Sequence, residues 1–397
     1  MGFAKATVKN IELSGKRVLL RVDFNVPVNP ENGEIGDDSR LRAAIPTIEY
    51  LRTNGARILM CSHLGRPDGR MVNRLRMTDV RARMSELLGQ EISDAGGPGG
   101  PEPGLAMRSL QPGQLALMEN LRFDPREEKN DKTFSADLAS LADVYVNDAF
   151  GVSHRAHAST HGVASLLPAV GGLLLEKEVE MLSLVVASPR RPGVAIIGGA
   201  KVADKISVLA NLAKSVDLIL IGGGMTSAFL AAQDLGGGAA EVTEGELTVS
   251  KDLLASERPR VLCPIDVVVA ASIDADAIAE IVPVDSVKDQ MLILDIGPKT
   301  ADLYVDKIAR ARTIIWNGPL GVAELPQFSK GSKSIARAIA SASEAVTVVG
   351  GGSTAEVVLG LGLGDSMTHV STGGGAALAF LEGKPLPGVA ALDDGWP

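Results

Sequence analysis

The apolar run Val194-Ala-Ile-Ile197 is followed by Gly198-Gly199 and then by two lysines, Lys201 and Lys205. A β-branched run that turns at glycines into a segment with helical spacing predicts a buried strand delivering a helix N-terminus, with the two lysines one helical turn apart. Exposed backbone N–H groups and the positive end of the helix dipole attract an anion there, and the lysines add mobile point charges. A phosphate fits such a place. An ordinary strand-to-helix turn with two solvated lysines would read the same way, so the rest of the chain has to decide.

In the first half, apolar strands repeatedly run into cationic loops. Arg17-Val-Leu-Leu-Arg-Val-Asp-Phe-Asn25 precedes Asp38-Ser-Arg-Leu-Arg42. Arg57-Ile-Leu-Met-Cys-Ser-His-Leu-Gly-Arg66, Leu115-Ala-Leu-Met-Glu-Asn-Leu-Arg122 and Asp143-Val-Tyr-Val-Asn-Asp-Ala-Phe-Gly-Val-Ser-His-Arg155 repeat the arrangement, and helical patterns such as Val80 to Leu88 lie between strands. Strands alternating with helices imply a parallel sheet, and ligands of such sheets bind beyond the carboxyl ends of the strands. Arg66, Arg122 and Arg155 fall there, which suits a small anion bearing carboxylate and phosphate.

The second half keeps the rhythm but changes the loops. Asp217-Leu-Ile-Leu-Ile-Gly-Gly-Gly224, Thr313-Ile-Ile-Trp-Asn-Gly-Pro319, Val346-Thr-Val-Val-Gly-Gly-Gly-Ser-Thr354 and His369-Val-Ser-Thr-Gly-Gly-Gly375 all end in glycine. One such loop is a tight turn and nothing more. A set of them suits a nucleotide, because glycine lets a planar ring or a polyphosphate approach the main chain. Two ligands are implied, one per half.

Bulk composition agrees with this organisation. The chain has 397 residues, 45% of them hydrophobic and 22% charged, which is too long for one compact core and predicts two domains. With 44 glycines and only 3% aromatic residues, the core must be built of Ala, Val, Leu and Ile under many turns. A net charge of −9 argues against non-specific nucleic-acid binding. Cys61 and Cys263 stand far apart in apolar runs, predicting two buried thiols and a reducing cytoplasm. No run approaches the roughly 18 apolar residues of a membrane helix. Met1-Gly2 resembles a myristoylation site only superficially, because Ala6 stands where Ser or Thr is wanted. Gly96 to Gly104 is rich in Gly and Pro and reads as a peripheral loop without regular structure.

A Walker-type nucleotidase is excluded, and a dinucleotide-dependent oxidoreductase is a weak alternative. No spaced glycine is followed by Gly-Lys-Ser or Gly-Lys-Thr, as a Walker motif requires. Gly350-Gly-Gly-Ser-Thr-Ala355 fits a dinucleotide fingerprint by letter, but Val370 to Thr372 occupy the place of the acid that holds ribose. His154, His157 and His161 share a loop with Arg155 and lack a matching set of acids or cysteines, so anion contacts or packing are expected of them rather than metal.

Together these segments resemble one family, phosphoglycerate kinase. The resemblance runs in order through Arg21-Val-Asp-Phe-Asn-Val-Pro-Val28, Ser62-His-Leu-Gly-Arg-Pro67, Glu119-Asn-Leu-Arg-Phe123, Asn147 to Ser159, Gly198-Gly-Ala-Lys-Val-Ala-Asp-Lys205, Ile221-Gly-Gly-Gly-Met225 and Trp316-Asn-Gly-Pro-Leu-Gly-Val322. It implies reversible phosphoryl transfer between 1,3-bisphosphoglycerate and ADP, giving 3-phosphoglycerate and ATP, with Mg2+ on the nucleotide and a monomeric protein. It also implies two doubly wound parallel-sheet α/β domains joined by a hinge helix. Residues 1–172, with the tail 383–397 returning to them, would bind phosphoglycerate; 173–193 would be the hinge helix and its exit; 194–382 would bind the nucleotide.

By the same resemblance Asp23, Phe24, Asn25, Arg40, His63, Leu64, Gly65, Arg66, Arg122 and Arg155 would hold the phosphoglycerate. Gly199, Ala200, Lys201, Lys205, Gly222, Gly223, Asn317, Pro319, Leu320, Glu324 and the loop Gly350, Gly351, Gly352, Ser353 and Thr354 would hold the nucleotide. Arg40 and Lys201 would neutralise the group in transfer. The chain departs from the family at Gly237 to Glu244, which leaves the adenine contacts there open, and at Ser353, where the family generally has an aspartate near the metal. Ser353-Thr-Ala-Glu356 also reads as a capping box with Ser353 as N-cap, so Ser353 is expected either to start a helix or to be a weak metal ligand. A two-domain sensor that binds both ligands without joining them is the non-catalytic alternative.

Overall fold

The computed structural model describes residues 3–29 and 31–395. Met1 and Gly2, with their superficial myristoylation pattern, lie outside the described residues. The chain divides into two units, one running to Glu180 and resuming at Pro385, the other spanning Met181–Lys384. The first division falls inside the helix Leu173–Val186.

In the first unit six short apolar runs become strands: β1 (Arg17–Arg21), β2 (Arg57–Cys61), β3 (Ile92–Asp94), β4 (Leu115–Leu117), β5 (Val144–Asn147) and β6 (Ala169–Gly171). Their order is β3-β4-β2-β1-β5-β6, and every pairing is parallel. A parallel sheet is covered on both faces, which is why its strands are continuously apolar. Val18, Leu20, Ile58, Met60, Leu117 and Val146 form a core with Leu41, Ile48 and Leu51 of the helix Ser39–Thr53. β1 lies at the centre, so the loop that follows it is flanked by the loops after β2 and β5. The tail is stitched beside β6: Ala6 donates from its backbone to Asp393 at 2.9 Å, and Asp393 to Ala169 at 2.9 Å.

The segment Gly96 to Gly104 departs from the expectation of an irregular loop. The helix Glu102–Ser109 starts within it, with Pro101 at the N-cap and Pro103 in the first turn, where the missing N–H costs no hydrogen bond.

The second unit carries β7 (Gly193–Ile197), β8 (Leu218–Ile221), β9 (Arg260–Leu262), β10 (Asp266–Ala270), β11 (Glu280–Pro283), β12 (Leu292–Ile296), β13 (Thr313–Asn317), β14 (Val346–Gly350) and β15 (His369–Val370). Six of them form a second all-parallel sheet, ordered β15-β14-β13-β7-β8-β9. Trp316, Ile314, Ile196 and Val349 pack in one core with Tyr304, Ile308, Ile335 and Ile339 from the helices Pro298–Ala309 and Lys330–Ser341. The Tyr304 hydroxyl shares its one hydrogen between the carbonyls of Ile221 and Leu262, at 2.7 and 2.9 Å, and so ties β8 to β9. An antiparallel sheet in the order β11-β10-β12 is an addition that the strand-helix rhythm of the sequence did not announce.

Candidate functional site

In the first unit the loops after β1, β2 and β4 are tied to one another by side chains that double as site candidates. Asn25 accepts a hydrogen bond from the Gly65 amide at 2.8 Å, and Ser62 accepts one from the Phe24 amide at 2.9 Å. Buried Asn120 accepts from the amides of Leu64 and Arg122, both at 3.1 Å, and donates to the Leu64 carbonyl at 2.7 Å. On this frame Arg40 donates through Nη1 to Asp23 and to the Asn25 carbonyl, each at 3.1 Å. Arg122, only 4% exposed, donates to the Gly65 carbonyl at 2.8 Å. Asp23, Phe24, Asn25, Arg40, His63, Leu64, Gly65 and Arg122 are therefore brought together. Arg66 is exposed and is not bonded into this frame, while Arg155 lies against His154 at 3.2 Å.

The electrostatics of this surface would suit an anion. Burial, then neighbouring Arg155 and Arg21, lower the Arg122 guanidinium, with Glu128 opposing. Burial, followed by Arg21, Arg122 and Arg40, pushes His63 well below the ordinary imidazole range. His157 is pushed down to about 4, again first by burial and then by Arg122, Arg21 and Arg155. Cations crowded together and partly desolvated repel each other until an anion enters, which is why such a surface binds one. Arg21, 1% exposed at the end of β1, belongs to the group but was not singled out from the sequence. Its signal was present, because it too is an arginine closing an apolar strand.

In the second unit the glycine loops divide into two kinds. After β7, β8 and β13 the main chains cross one another: the Gly198 amide donates to Asn317, Gly199 to Pro319 and Gly223 to Leu320, at 3.1, 3.1 and 2.8 Å. A Cβ on Gly198 would lie 2.1 Å from the Pro319 oxygen, and one on Gly318 would lie 2.2 Å from the Gly198 oxygen. These glycines are required by the protein's own backbone, whatever ligand lies above them. The loop after β14 differs. Gly351 has φ 95°, and a Cβ on Gly352 would meet nothing within 4 Å. Ala323, Glu324, Lys333, Ser353 and Glu356 line a hollow of about 280 Å³ beside that loop.

Three local expectations are corrected here. Lys201 and Lys205 are not one helical turn apart, because the α-helix begins only at Ile206, after a 3-10 turn at Ala203–Lys205. The Ala203 amide is taken by the Glu246 carboxylate at 3.1 Å, a tertiary acceptor for a donor that the start of a helix leaves without an intrahelical partner. Lys201 is exposed, whereas Lys205 is bonded to the Asn317 side chain and its ammonium is lowered by burial. Ser353 is not an N-cap. The helix spans Gly352–Gly360 with Gly351 at the cap, so Ser353 lies exposed inside the first turn. The capping box of this unit is Thr243 with Glu246 instead, whose reciprocal bonds measure 3.3 and 3.0 Å. Of the two cysteines, Cys61 is buried but Cys263 is only partly so.

Comparison with known proteins fits this arrangement. The family model described as phosphoglycerate kinase matches residues 8–384. The phosphoglycerate kinase of Moorella thermoacetica is 51% identical over 394 residues, covering 98% of this chain and all of its own length. That of Pelotomaculum thermopropionicum is 50% identical over 394 residues, with 98% and 100% covered. Among solved structures, phosphoglycerate kinase from Coxiella burnetii superposes with a TM-score of 0.87 at 37% identity, and that from Pyrococcus horikoshii with 0.84 at 32%, each covering 98% of both chains. With the paired parallel sheets, the arginine surface and the glycine loops all in place, the chain belongs to the phosphoglycerate kinase family.

Proposed function

We propose that this chain is a glycolytic phosphotransferase that moves a phosphoryl group reversibly between 1,3-bisphosphoglycerate and ADP. The first unit binds the phosphoglycerate and the second the nucleotide. The observation that carries the reading is the convergence of Arg40, Arg122 and His63 on one frame at the carboxyl ends of β1, β2 and β4, which suits a small phosphorylated acid. A coupled assay with 3-phosphoglycerate and ATP tests it. Binding of both ligands without turnover would leave the sensor reading in its place. Two free thiols, raised by burial to about 12 at Cys61 and about 11 at Cys263, support a reducing cytoplasm. Among the described residues no helix is long and apolar enough to cross a membrane. We take the protein to be a monomer.

The chemistry needs no general base. In the ATP-consuming direction the nucleophile is a carboxylate with a pKa of roughly 3.5, already ionised at neutral pH. Catalysis is then positioning and charge neutralisation. Asp23 and the Asn25 carbonyl aim the Arg40 guanidinium, while Lys201 is exposed beside the glycine loops with the Glu246 carboxylate as an electrostatic neighbour.

Magnesium, when bound, would neutralise charge on the nucleotide's phosphates. The described residues contain no group of three His, Cys, Asp or Glu side chains able to hold a metal. The exposed Ser353 hydroxyl, in a hollow also lined by Glu324 and Glu356, is an available neutral oxygen for an ion carried mainly on phosphate oxygens and water. Ser353→Asp supplies a full negative charge, and should lower the magnesium concentration for half-maximal turnover severalfold. Ser353→Ala should leave the melting temperature within about 0.5 kcal/mol of stability, because no cap is lost. A magnesium titration unmoved by aspartate would remove position 353 from the metal's surroundings.

Ligands anchored on separate units must approach to about 3 to 3.5 Å for in-line attack. We therefore assign a hinge to the helix Leu173–Val186 and its exit, where the two units are joined, and to the crossing near Lys384. Small-angle scattering should show compaction with 3-phosphoglycerate and nucleotide together and little with either alone. Superimposable profiles in all four states would defeat the hinge.

A further inference from the structure

Beneath the arginine surface lies a buried chain of polar groups whose hydrogens can be placed by inventory. Arg21 ends the central strand β1, opposite Cys61 of β2 and Asn147 of β5, so its backbone is fixed on both sides. Its guanidinium donates through Nε to the Ser159 hydroxyl at 2.9 Å and through Nη1 to the Val22 carbonyl, and Nη2 lies 3.3 Å from His63 Nδ1. Behind Ser159 stands Glu127, 0% exposed. One carboxylate oxygen is 2.6 Å from the Ser159 hydroxyl, and the other accepts from the Ser159 amide at 3.0 Å. Tyr145 holds the same serine from the other side, its hydroxyl donating to the Ser159 carbonyl at 2.7 Å.

A guanidinium has donors only. The Ser159 oxygen must therefore accept from Arg21, and its own hydrogen goes to Glu127. By the same rule His63 Nδ1, facing Arg21, must present its lone pair, and the ring proton sits on Nε2. The competing partner for Nδ1 is Asp23, but its oxygen is 3.8 Å away, beyond hydrogen-bonding reach. We infer that Glu127, acting through Ser159 and Arg21, is a positioning residue that fixes His63 in the tautomer with its proton on Nε2, as a hydrogen-bond donor for the bound phosphoglycerate. The identity of that ligand rests on the function proposed above.

Charge explains why the buried acid is needed. A guanidinium withdrawn from water is costly unless paired, and Glu127 supplies the counter-charge through one hydroxyl. Burial raises the Glu127 carboxyl on balance, with Arg21 and Ser159 opposing it, while the hydroxyl and amide of Ser159 both direct hydrogens at its two oxygens and so call for an acceptor there. His63 faces Arg21, Arg122, Arg40 and His157, with Asp23 as the acid nearby, and burial adds to the cations in keeping the ring neutral. A neutral ring whose proton is on Nε2 donates across the whole neutral pH range. A ring free to exchange tautomers would present a lone pair to an anion for part of the time.

The test is ring nitrogen NMR of the full chain with 15N-labelled histidine, with His63 assigned by difference from His63→Asn. Between pH 6 and 9 wild type should show His63 with Nδ1 unprotonated and Nε2 protonated. In Glu127→Gln the two nitrogens should move towards averaged positions. The KM for 3-phosphoglycerate should rise about tenfold, the scale of a lost hydrogen bond to a charged ligand, with the KM for ATP unchanged. Glu127→Asp, which keeps the charge, should fall between. If Glu127→Gln does not fold, the wild-type spectrum and Ser159→Ala decide, the latter moving the same resonances. A proton on Nδ1 in wild type, a charged ring at pH 7, or spectra and KM unmoved in these variants would overturn the inference. The ring spectrum is read without substrate, so failure of the function proposal shows separately, as absent turnover in wild type.

Discussion

Alanine at Arg40, or at Lys201, should lower turnover about a thousandfold or more in the coupled assay, the loss expected when a cation that neutralises a phosphoryl group in transfer is removed. For Arg40 the geometry adds a second penalty. Its guanidinium rests against the Asp23 carboxylate, itself only 10% exposed, and without the arginine that acid would face the incoming anion with its charge uncovered. Arg40→Lys keeps charge but loses the planar fork that reaches Asp23 and the Asn25 carbonyl together, so it should recover only part of the rate. Lys201 is exposed, so its removal should leave the melting temperature nearly unchanged while turnover collapses. Turnover within about tenfold of wild type in either alanine variant would take that residue out of the mechanism. That margin lies far below the cost of losing such a cation.

The parts of this site that could be read from sequence were those determined locally. A buried parallel strand is apolar throughout, so β1, β2, β5, β7, β13 and β14 stand out as runs, and the charge or glycine that ends each run marks the ligand side of the sheet. Helix starts were less legible, because they are decided by partners far along the chain. At Ala203 the amide is claimed by Glu246, and at Gly351 a positive φ shifts the cap one residue before the helix and two before Ser353. The letters Ser-x-x-Glu at 353 and Thr-x-x-Glu at 243 are equivalent as sequence, and only the second has the backbone of a cap. Arg21 and Glu127 went unassigned for a related reason. Their link is one hydroxyl, Ser159, and no periodicity encodes a contact that spans so much of the chain.

The two kinds of glycine make the second large prediction. Gly198→Ala would place a Cβ 2.1 Å from the Pro319 oxygen and 2.7 Å from the Gly318 oxygen. Both neighbours are backbone and can yield only if the loop after β13 moves. Overpacking of this kind costs about 3 kcal/mol, and the crossing that carries Gly199, Gly223 and Pro319 would be displaced with it. The variant should unfold at markedly lower urea concentration and lose nucleotide affinity together. Gly352→Ala is its opposite. It begins a helix, has open space around it and no positive φ to violate, so stability should hold or rise by about 0.5 kcal/mol. Nucleotide affinity should nevertheless fall if the loop Gly350 to Thr354 holds the nucleotide's phosphates, because the added methyl stands at its exposed first turn. If the two variants lost stability equally, the crossing would not be what demands glycine at 198. If Gly352→Ala bound nucleotide as well as wild type, the phosphates would have to lie elsewhere, since a first turn that approaches them through bare backbone cannot accept a side chain without loss.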